Sequence, residues 1–253
     1  MPAARPLKAV ILAAGYATRL YPLTENKPKC LLTVGGRTIL DALCEKLDAL
    51  ESLEEIILVT NARFFDQLNV WKKESRLKRP VRILNDGTTS NDNRLGAIGD
   101  LGLAIREAAI RSDILLLASD NLFKQNLNGF INFAQEKKDA VSIAVYDLRD
   151  PKLAAKKFGV VEMDASGFVT RLEEKPESPR VSTIGMGVYY FPAGSLHLVT
   201  DYLGLTDAQD APGYYVRWLA ERVKIFGFIF SGLWYDIGDL KSLEEANRLF
   251  SVL

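Results

Sequence analysis

Short apolar runs separated by amphipathic stretches dominate the first half of the chain. Residues 7–12 and 55–60 are largely apolar runs of strand length, and residues 38–50 between them carry apolar side chains at helical spacing. A strand, a crossover helix and a second strand within about fifty residues form a right-handed βαβ unit, which belongs to a parallel sheet. The pattern therefore predicts an α/β fold.

The same alternation continues through the next segments. It predicts helices near residues 63–77 and 95–109 and strands at residues 81–84 and 113–119. We therefore expect a doubly wound, Rossmann-like, mostly parallel sheet, in which ligands bind beyond the carboxyl ends of the strands. Gly15 and Asp120 both follow such strands.

The second half of the chain has shorter strands with alternating polarity. The predicted elements are a strand at 141–146, a hairpin of 158–163 and 168–172, a strand at 185–191, a helix at 214–222, strands at 226–230 and 234–235, and a helix at 240–253. Residues 206–213 suggest no chemical role. We expect one domain over residues 1–253, with a first half at 7–138, a smaller mixed β half at 139–238 and a C-terminal helix at 239–253.

Composition narrows the classes of function. The 32 basic and 32 acidic residues balance, so the chain lacks the net charge that favours broad binding to nucleic acid or an anionic membrane. No apolar stretch approaches the ~18 residues that cross a bilayer, and the start of the chain lacks the apolar core of a signal peptide. We expect a cytoplasmic protein that binds neither nucleic acid nor membrane.

Two residue types that often carry chemistry are scarce. Cys30 and Cys44 fit no metal-ligand or redox spacing, which favours structural thiols in a reducing compartment. His197 is the only histidine, which argues against histidine triads and histidine-based zinc sites. We expect His197 on a helix surface.

The loop after the first strand is the strongest candidate site. Small residues at 13–15 end the strand, and Arg19, Lys27 and Lys29 follow closely. Such a loop lets backbone N–H groups approach an anion, because small residues leave room and glycine tolerates unusual backbone angles. A polyphosphate is the expected ligand, and an ordinary βα turn is the alternative if the loop is considered alone.

The order of these residues resembles the signature of the sugar-1-phosphate nucleotidylyltransferases, a family that includes glucose-1-phosphate thymidylyltransferase. Small-small-Gly at 13–15 is followed by Thr-Arg-Leu at 18–20 and by Pro-Lys at 28–29. Ala17 stands where the family usually has a second glycine. An alanine with positive φ there would cost roughly 1 kcal/mol.

Four later segments extend the resemblance over nearly the whole chain. Leu-Gly-Ala-Ile-Gly-Asp-Leu at 95–101 is similar to the family segment that lies against the base, and Ser-Asp-Asn at 119–121 is similar to the family's Gly-Asp-Asn. Phe-Gly-Val-Val-Glu at 158–162, with Glu-Glu-Lys-Pro at 173–176, is similar to the family's sugar-binding half. Trp-Tyr-Asp-Ile-Gly at 234–238 is similar to the family's Trp-x-Asp-x-Gly-Thr. Ser119 and Asp239 depart from the family's glycine and threonine. Capping of the last helix is the alternative role of Asp239.

The resemblance implies a GT-A-like nucleotidyltransferase fold whose second half binds a sugar phosphate. It implies a Mg²⁺-dependent enzyme that joins a nucleoside triphosphate, UTP or dTTP by preference, to a sugar 1-phosphate, giving an NDP-sugar and pyrophosphate. The attacking phosphate is already ionised at neutral pH, so the reaction requires no histidine base. The implied binding partners are the two substrates. Whether the protein forms a homo-oligomer is left open by the sequence. We expect no fused acyltransferase β-helix.

The resemblance also implies roles for individual residues. Those implied to bind the nucleotide are Leu12, Ala13, Ala14, Gly15, Thr18, Arg19, Gly96 and Asp120. Asp120 and Asp236 are implied to hold Mg²⁺. The resemblance implies catalytic roles for Arg19, Lys29, Asp120 and Lys175. Of these, Lys175 is implied to contact the attacking phosphate. Those implied to bind the sugar phosphate are Asn121, Gly159, Glu174, Lys175 and Gly187.

Other functions remain open at this point. The enzyme could be a cytidylyl- or guanylyltransferase that acts on another phosphorylated sugar or alcohol, such as mannose, heptose, inositol or choline phosphate. A non-catalytic regulatory relative would explain the departures at Ala17, Ser119 and Asp239. A nicotinamide enzyme is disfavoured, because the first loop lacks Gly-x-Gly-x-x-Gly.

Overall fold

The computed structural model describes residues 5–205 and 211–250. The strands in these residues are β1 (Leu7–Leu12), β2 (Thr33–Val34), β3 (Arg37–Thr38), β4 (Leu53–Thr60), β5 (Val81–Asn85), β6 (Asp113–Ala118), β7 (Asn121–Phe123), β8 (Val141–Asp147), β9 (Gly159–Met163), β10 (Val169–Glu174), β11 (Thr183–Phe191), β12 (Ile225–Phe230) and β13 (Trp234–Asp236). The α-helices are α1 (Ile39–Asp48), α2 (Phe65–Glu74), α3 (Gly96–Glu107), α4 (Asn128–Glu136), α5 (Pro151–Ala154), α6 (His197–Leu205), α7 (Pro212–Leu219) and α8 (Leu240–Phe250).

A parallel set of strands forms the first part of the central sheet, in the order β5–β4–β1–β6. Leu12 at the end of β1 lies opposite Val59 of β4 and Ala118 of β6. Because these strands end close to one level, the segments that follow them meet at the same carboxyl edge of the sheet.

The second part of the sheet is mixed. Strand β11 runs antiparallel to both β6 and β8, and β12 pairs parallel with β8. The β9–β10 hairpin joins β11 through the pair of Val160 and Ile184. The prediction of a mostly parallel sheet with a smaller mixed part is confirmed.

Helices cover both faces of the sheet. The pleat of β1 sends Ala9 and Ile11 into a core shared with α1, α2 and α4, and sends Val10 into a second core shared with α3, α6 and α7. Apolar layers on both faces bury the parallel strands, as a doubly wound fold requires. The predicted doubly wound architecture is therefore confirmed.

Helix α4 is missing from the predicted pattern. Its segment contains Gly129 and two asparagines, which are weak helix formers, so local propensity is low. The helix forms because Phe130, Ile131 and Ala134 are buried on one of its faces against the sheet. Tertiary packing outweighs propensity here.

Several local predictions can be compared with the structure. Helix α7 begins at Pro212 and ends at Leu219, shifted towards the N-terminus from the predicted 214–222, because proline is favoured in a first helical turn. His197 is exposed on α6, as expected, and both cysteines are buried and unbridged.

Residues 206–210 and 251–253, which hold part of the uninterpreted segment and the end of the predicted last helix, lie outside the described residues. No described helix combines the length and the apolar character that crossing a membrane demands.

Candidate active site

The loop after β1 is anchored to the end of β4. Ala13 N–H donates to the Val59 carbonyl at 2.8 Å, and the Asn61 side-chain amide donates to the Ala14 carbonyl at 2.8 Å. Asn61 is fully buried. The loop backbone is thus held at two points by β4 and the residue that follows it, which supports a preorganised anion site.

Ala17 carries the left-handed backbone of this loop, with φ 46° and ψ 43°. The buried Thr24 hydroxyl donates to the Ala17 carbonyl at 2.8 Å and holds the turn. Gly15 has open space around its Cα and is outside the left-handed region. Ala17 therefore adopts the left-handed conformation, which the sequence left open, at a cost of roughly 1 kcal/mol.

A cavity of about 150 Å³ lies against this loop and the end of β6. Of the predicted nucleotide-binding residues, Leu12, Ala13, Gly15 and Asp120 line it, together with Lys29 and Ser119. Ala14, Thr18, Arg19 and Gly96 do not line it. Gly96 begins α3 with φ 76°, a conformation that glycine adopts without strain. We call this space the nucleotide cavity, after the predicted role of four of the residues that line it.

Asp120 and Asp236 come together although 115 positions separate them in the chain. Strands β7 and β13 pair antiparallel with Asn121 opposite Asp236, and Ile237 N–H donates to the Asp120 carbonyl at 3.0 Å. Burial, and then the charge of Asp120, raise the pKa of Asp236 to about 7. Two carboxyl groups therefore share one electrostatic environment.

Two cations lie beside these carboxyl groups. The Lys29 ammonium donates to Asp120 Oδ2 at 2.7 Å, and the charges of Lys29 and Arg19 oppose the rise of the Asp236 pKa. A Cβ added to Gly238 would lie 3.5 Å from Asp236 Oδ2 and 4.0 Å from Arg19 Nη1. The Arg19 guanidinium thus lies near Asp236, and Arg19 does not line the nucleotide cavity.

The donor set fits a magnesium ion that takes most of its ligands from substrate and water. Mg²⁺ is bound in many phosphoryl-transfer sites by one or two carboxylates plus phosphate oxygens. Asp120 and Asp236 supply two, and residues 5–205 and 211–250 contain no cluster of three or more acidic, cysteine or histidine ligands. Burial, and then the charge of Asp120, raise the pKa of Asp236, and the positive charge of a bound dication would offset both effects.

A second cavity, of about 190 Å³, extends from the same carboxyl pair towards the mixed part of the sheet. Asp120 and Asp236 line it together with four predicted sugar-phosphate residues, which are Asn121, Gly159, Glu174 and Gly187. We call it the sugar cavity. The predicted substrate residues are thus assembled in one place, with one exception.

Lys175 is that exception. It does not line the sugar cavity, its side chain is 53% exposed, and its ammonium lies 3.8 Å from Glu174 Oε1. Lys157, which the sequence analysis did not single out, does line the cavity. Its position directly before the Phe158–Gly159 pair of the recognised motif was the available signal.

Glu174 occupies a slot between two glycines. A Cβ on Gly159 would lie 2.8 Å from Glu174 Oε2, and one on Gly213 would lie 1.8 Å from it. Burial raises the pKa of Glu174. Gly213 belongs to the first turn of α7 and has no sequence signal linking it to Glu174, because only the packing of α7 on β10 brings them together.

Asn121 holds the two parts of the site in register. Its amide nitrogen donates to Asp120 Oδ1 at 3.2 Å, while its amide oxygen accepts from the Trp234 indole N–H at 2.7 Å. Asn121 and Trp234 are both buried. The Asp120 carboxylate is therefore oriented by Lys29 on one oxygen and by Asn121 on the other.

A doubly wound sheet that presents paired carboxylates and cations at its carboxyl edge, between two cavities, has the architecture of an α/β enzyme for phosphate-containing substrates. The chain belongs to the nucleotidyl transferase family, whose family model matches residues 8–251. The resemblance found in the sequence is thereby confirmed.

Known proteins similar to the chain agree with this assignment. It is 27% identical over 246 residues to the bifunctional protein GlmU of Methanocaldococcus jannaschii, covering 96% of this chain and 54% of that protein. It is 26% identical over 232 residues to a putative mannose-1-phosphate guanyltransferase of Sulfolobus acidocaldarius, covering 92% of this chain and 60% of that protein. The chain thus spans little more than half the length of these relatives.

A solved structure shares the fold over nearly the full chain. The structure of a putative glucose-1-phosphate thymidylyltransferase from Bacillus anthracis in complex with a sucrose superposes with a TM-score of 0.82 and 22% identity, covering 98% of this chain and 96% of that one. At this identity the likeness establishes the fold.

Proposed function

We propose that the protein transfers a nucleotidyl group from a nucleoside triphosphate to a sugar 1-phosphate, giving an NDP-sugar and pyrophosphate. The observation that carries the proposal is the position of Asp120, which lines both the nucleotide and the sugar cavity, beside Asp236, which lines the sugar cavity. Asp120 and Asp236 would hold a divalent ion at this position. The whole chain would act as one nucleotidyltransferase domain.

The chain's own residues support this chemistry through positioning and charge. An oxygen of the sugar phosphate attacks the α-phosphorus of the triphosphate, and the bond from that phosphorus to the pyrophosphate breaks. In this proposal the loop at 13–15 holds the triphosphate, Lys29 bears on the α-phosphate and Arg19 steadies the departing pyrophosphate. Mg²⁺, when bound, supplies further charge neutralisation for the phosphate oxygens.

The sugar phosphate is placed by residues of the second cavity. Glu174, fixed between its two glycines, is suited to accept hydrogen bonds from sugar hydroxyls. Two lysines are available to bind the phosphate group of the sugar 1-phosphate. Lys157 lines the cavity, and Lys175 is the second candidate. Apolar side chains, including Trp234, Tyr189 and Val216, complete the wall and exclude water.

For the base we propose uracil or thymine, in keeping with the thymidylyltransferase name of the structurally similar protein. Guanine is the second candidate, because the Sulfolobus relative carries the name of a guanyltransferase. The two candidates differ in hydrogen-bond donors and acceptors on the base edge, so a direct comparison of substrates separates them.

The test is a matrix of the nucleoside triphosphates against sugar 1-phosphates, with Mg²⁺ present, scored for NDP-sugar and pyrophosphate. We expect product with UTP or dTTP and at least one hexose 1-phosphate. Asp120→Ala should abolish turnover while the far-UV circular dichroism stays that of the wild type. A matrix without product, or full activity of Asp120→Ala at saturating Mg²⁺, would contradict the proposal and favour a non-catalytic relative.

A further inference from the structure

A larger cleft adjoins the sugar cavity at Asn121. It has a volume of about 610 Å³ and is bounded by the β2–β3 turn, helix α1, strand β7 and the end of α8. Three cationic residues line it, namely Arg37, Lys46 and Lys124, and none of its described lining residues is acidic. We call it the basic cleft.

Lys46 is half-buried, whereas Arg37 and Lys124 are exposed. Its ammonium donates to the Lys124 carbonyl at 3.0 Å and lies 5.4 Å from the centre of the Phe123 ring, and no described carboxylate forms an ion pair with it. Burial, and then the charge of Arg37, lower the pKa of Lys46. A partly buried cation next to a second cation is costly unless an anion joins them.

Arg37 leaves room for such an anion. It pairs with Glu45, but 44% of its side chain remains exposed, and a guanidinium has five donors to offer. The backbone beside it is open as well, since a Cβ added to Gly36 would meet nothing within 4 Å. The floor of the cleft is apolar, with Leu43, Leu122 and Phe123.

We propose that the basic cleft binds a small phosphate ester, with the phosphate between Lys46, Arg37 and Lys124 and the organic part on the apolar floor. Phosphate matches this set because a guanidinium and ammonium groups together satisfy several oxygens of a doubly charged anion. A carboxylate would leave cations unpaired, and an apolar ligand would leave the half-buried Lys46 without a counter-charge.

The cleft shares a wall with the candidate active site. Asn121 lines both the basic cleft and the sugar cavity, and its side chain donates to Asp120. A ligand in the basic cleft would therefore contact the strand that carries this hydrogen bond. The assignment of the cleft rests on its own residues and not on the proposed reaction.

The test is a footprint of lysine reactivity on the intact chain, using acetic anhydride and mass spectrometry of each lysine. The probes are inorganic phosphate and phenyl phosphate, each compared with sodium chloride at equal ionic strength. When a probe is present at about twice its Kd, acetylation of Lys46 and Lys124 should slow about threefold, because the unbound fraction falls as 1/(1 + [L]/Kd). Lys72, exposed on α2, should be unaffected.

Phenyl phosphate should protect at lower concentration than inorganic phosphate, because it adds apolar contact with the floor. In Lys46→Gln the protection of Lys124 should be lost, whereas Lys72→Gln should leave it intact. Unchanged rates at Lys46 and Lys124, equal slowing at Lys72, or equal potency of the two probes would overturn the assignment.

Lys29 separates this proposal from the proposed function. It lines the nucleotide cavity, so phosphate bound in the active site protects Lys29 independently of Lys46. Protection of Lys29 alone would overturn the basic cleft and leave the proposed function standing. Protection of Lys46 and Lys124 without Lys29 supports the cleft and counts against an active-site phosphate position.

Discussion

At the residue scale, the slot around Glu174 makes a sharp test of the sugar cavity. Gly213→Ala places a Cβ 1.8 Å from the present position of Glu174 Oε2, so the carboxylate must leave the slot. Only the flexible end of one side chain has to move, so the fold should survive. We expect the KM for the sugar phosphate to rise about tenfold, close to the loss of one hydrogen bond to a charged group.

The matched control is Gly194→Ala, because nothing lies within 4 Å of a Cβ at that glycine. It should leave both KM values unchanged. An equal rise of the KM for the triphosphate in Gly213→Ala would show that the slot does not act on the sugar phosphate alone. Steady-state kinetics with each substrate varied in turn provides both values.

The strained turn at Ala17 gives a prediction on stability. Ala17→Gly should remove about 1 kcal/mol of left-handed strain and raise the Tm by about 2–4 °C. Ala220→Gly is the control, since Ala220 is exposed with a right-handed backbone of φ −60° and should lose about 0.5–1 kcal/mol instead. A fall of Tm in Ala17→Gly on calorimetry would mean that the turn is not strained.

At the element scale, a pair of carboxyl groups joins the segment after β5 to helix α3. Asp100 on α3 is 5% exposed, and burial together with the neighbouring Asp86 raises its pKa to about 8. The aspartate pKa of the unfolded chain is near 3.9. Between these two pKa values the folded state therefore keeps a proton on Asp100 that the unfolded chain has released. The free energy of unfolding should fall as pH rises between these two values, and should change little through this group at lower pH.

Asp100→Asn should remove this dependence. At pH 9 we expect the variant to be more stable than the wild type by at least about 1 kcal/mol, because a neutral amide replaces a buried charge and donates to Asp86. Near pH 4 the two proteins should unfold alike. Urea titrations across this pH range measure the difference, with exposed Asp92→Asn as the control; parallel curves for wild type and Asp100→Asn would contradict the assignment.

Elements whose apolar pattern is strong were predictable, and so were the motifs at strand ends. The βαβ order, the position of Asp120 after β6 and the pairing of Asp120 with Asp236 follow from periodicity and from the recognised motifs. What escaped prediction depends on contacts between distant elements. Gly213 meets Glu174 only because α7 packs on β10, and the basic cleft exists only because β7 lies beside α1 and α8.

At the scale of the whole molecule, two segments far apart in the chain meet at Asp120 and Asp236, a pair of like charges that a ligand would neutralise. Burial and the charge of Asp120 raise the pKa of Asp236, so its ionised form destabilises the ligand-free protein. Asp236→Asn should therefore leave the ligand-free Tm unchanged or raise it. The same change should remove the stabilisation by Mg²⁺ with triphosphate, which in the wild type amounts to about 2.7 kcal/mol at a ligand concentration of 100 Kd.

These opposite effects distinguish a ligand-binding carboxylate from a structural one. A structural aspartate lowers the Tm when it is replaced and leaves the ligand-induced shift intact, whereas a metal-binding one does the reverse. Exposed Asp201→Asn on α6 should change neither quantity. Thermal scans with EDTA, with Mg²⁺ alone and with Mg²⁺ plus triphosphate give both values for each protein. If Asp236→Asn has a lower ligand-free Tm and an unchanged ligand-induced shift, this residue does not belong to the proposed metal site.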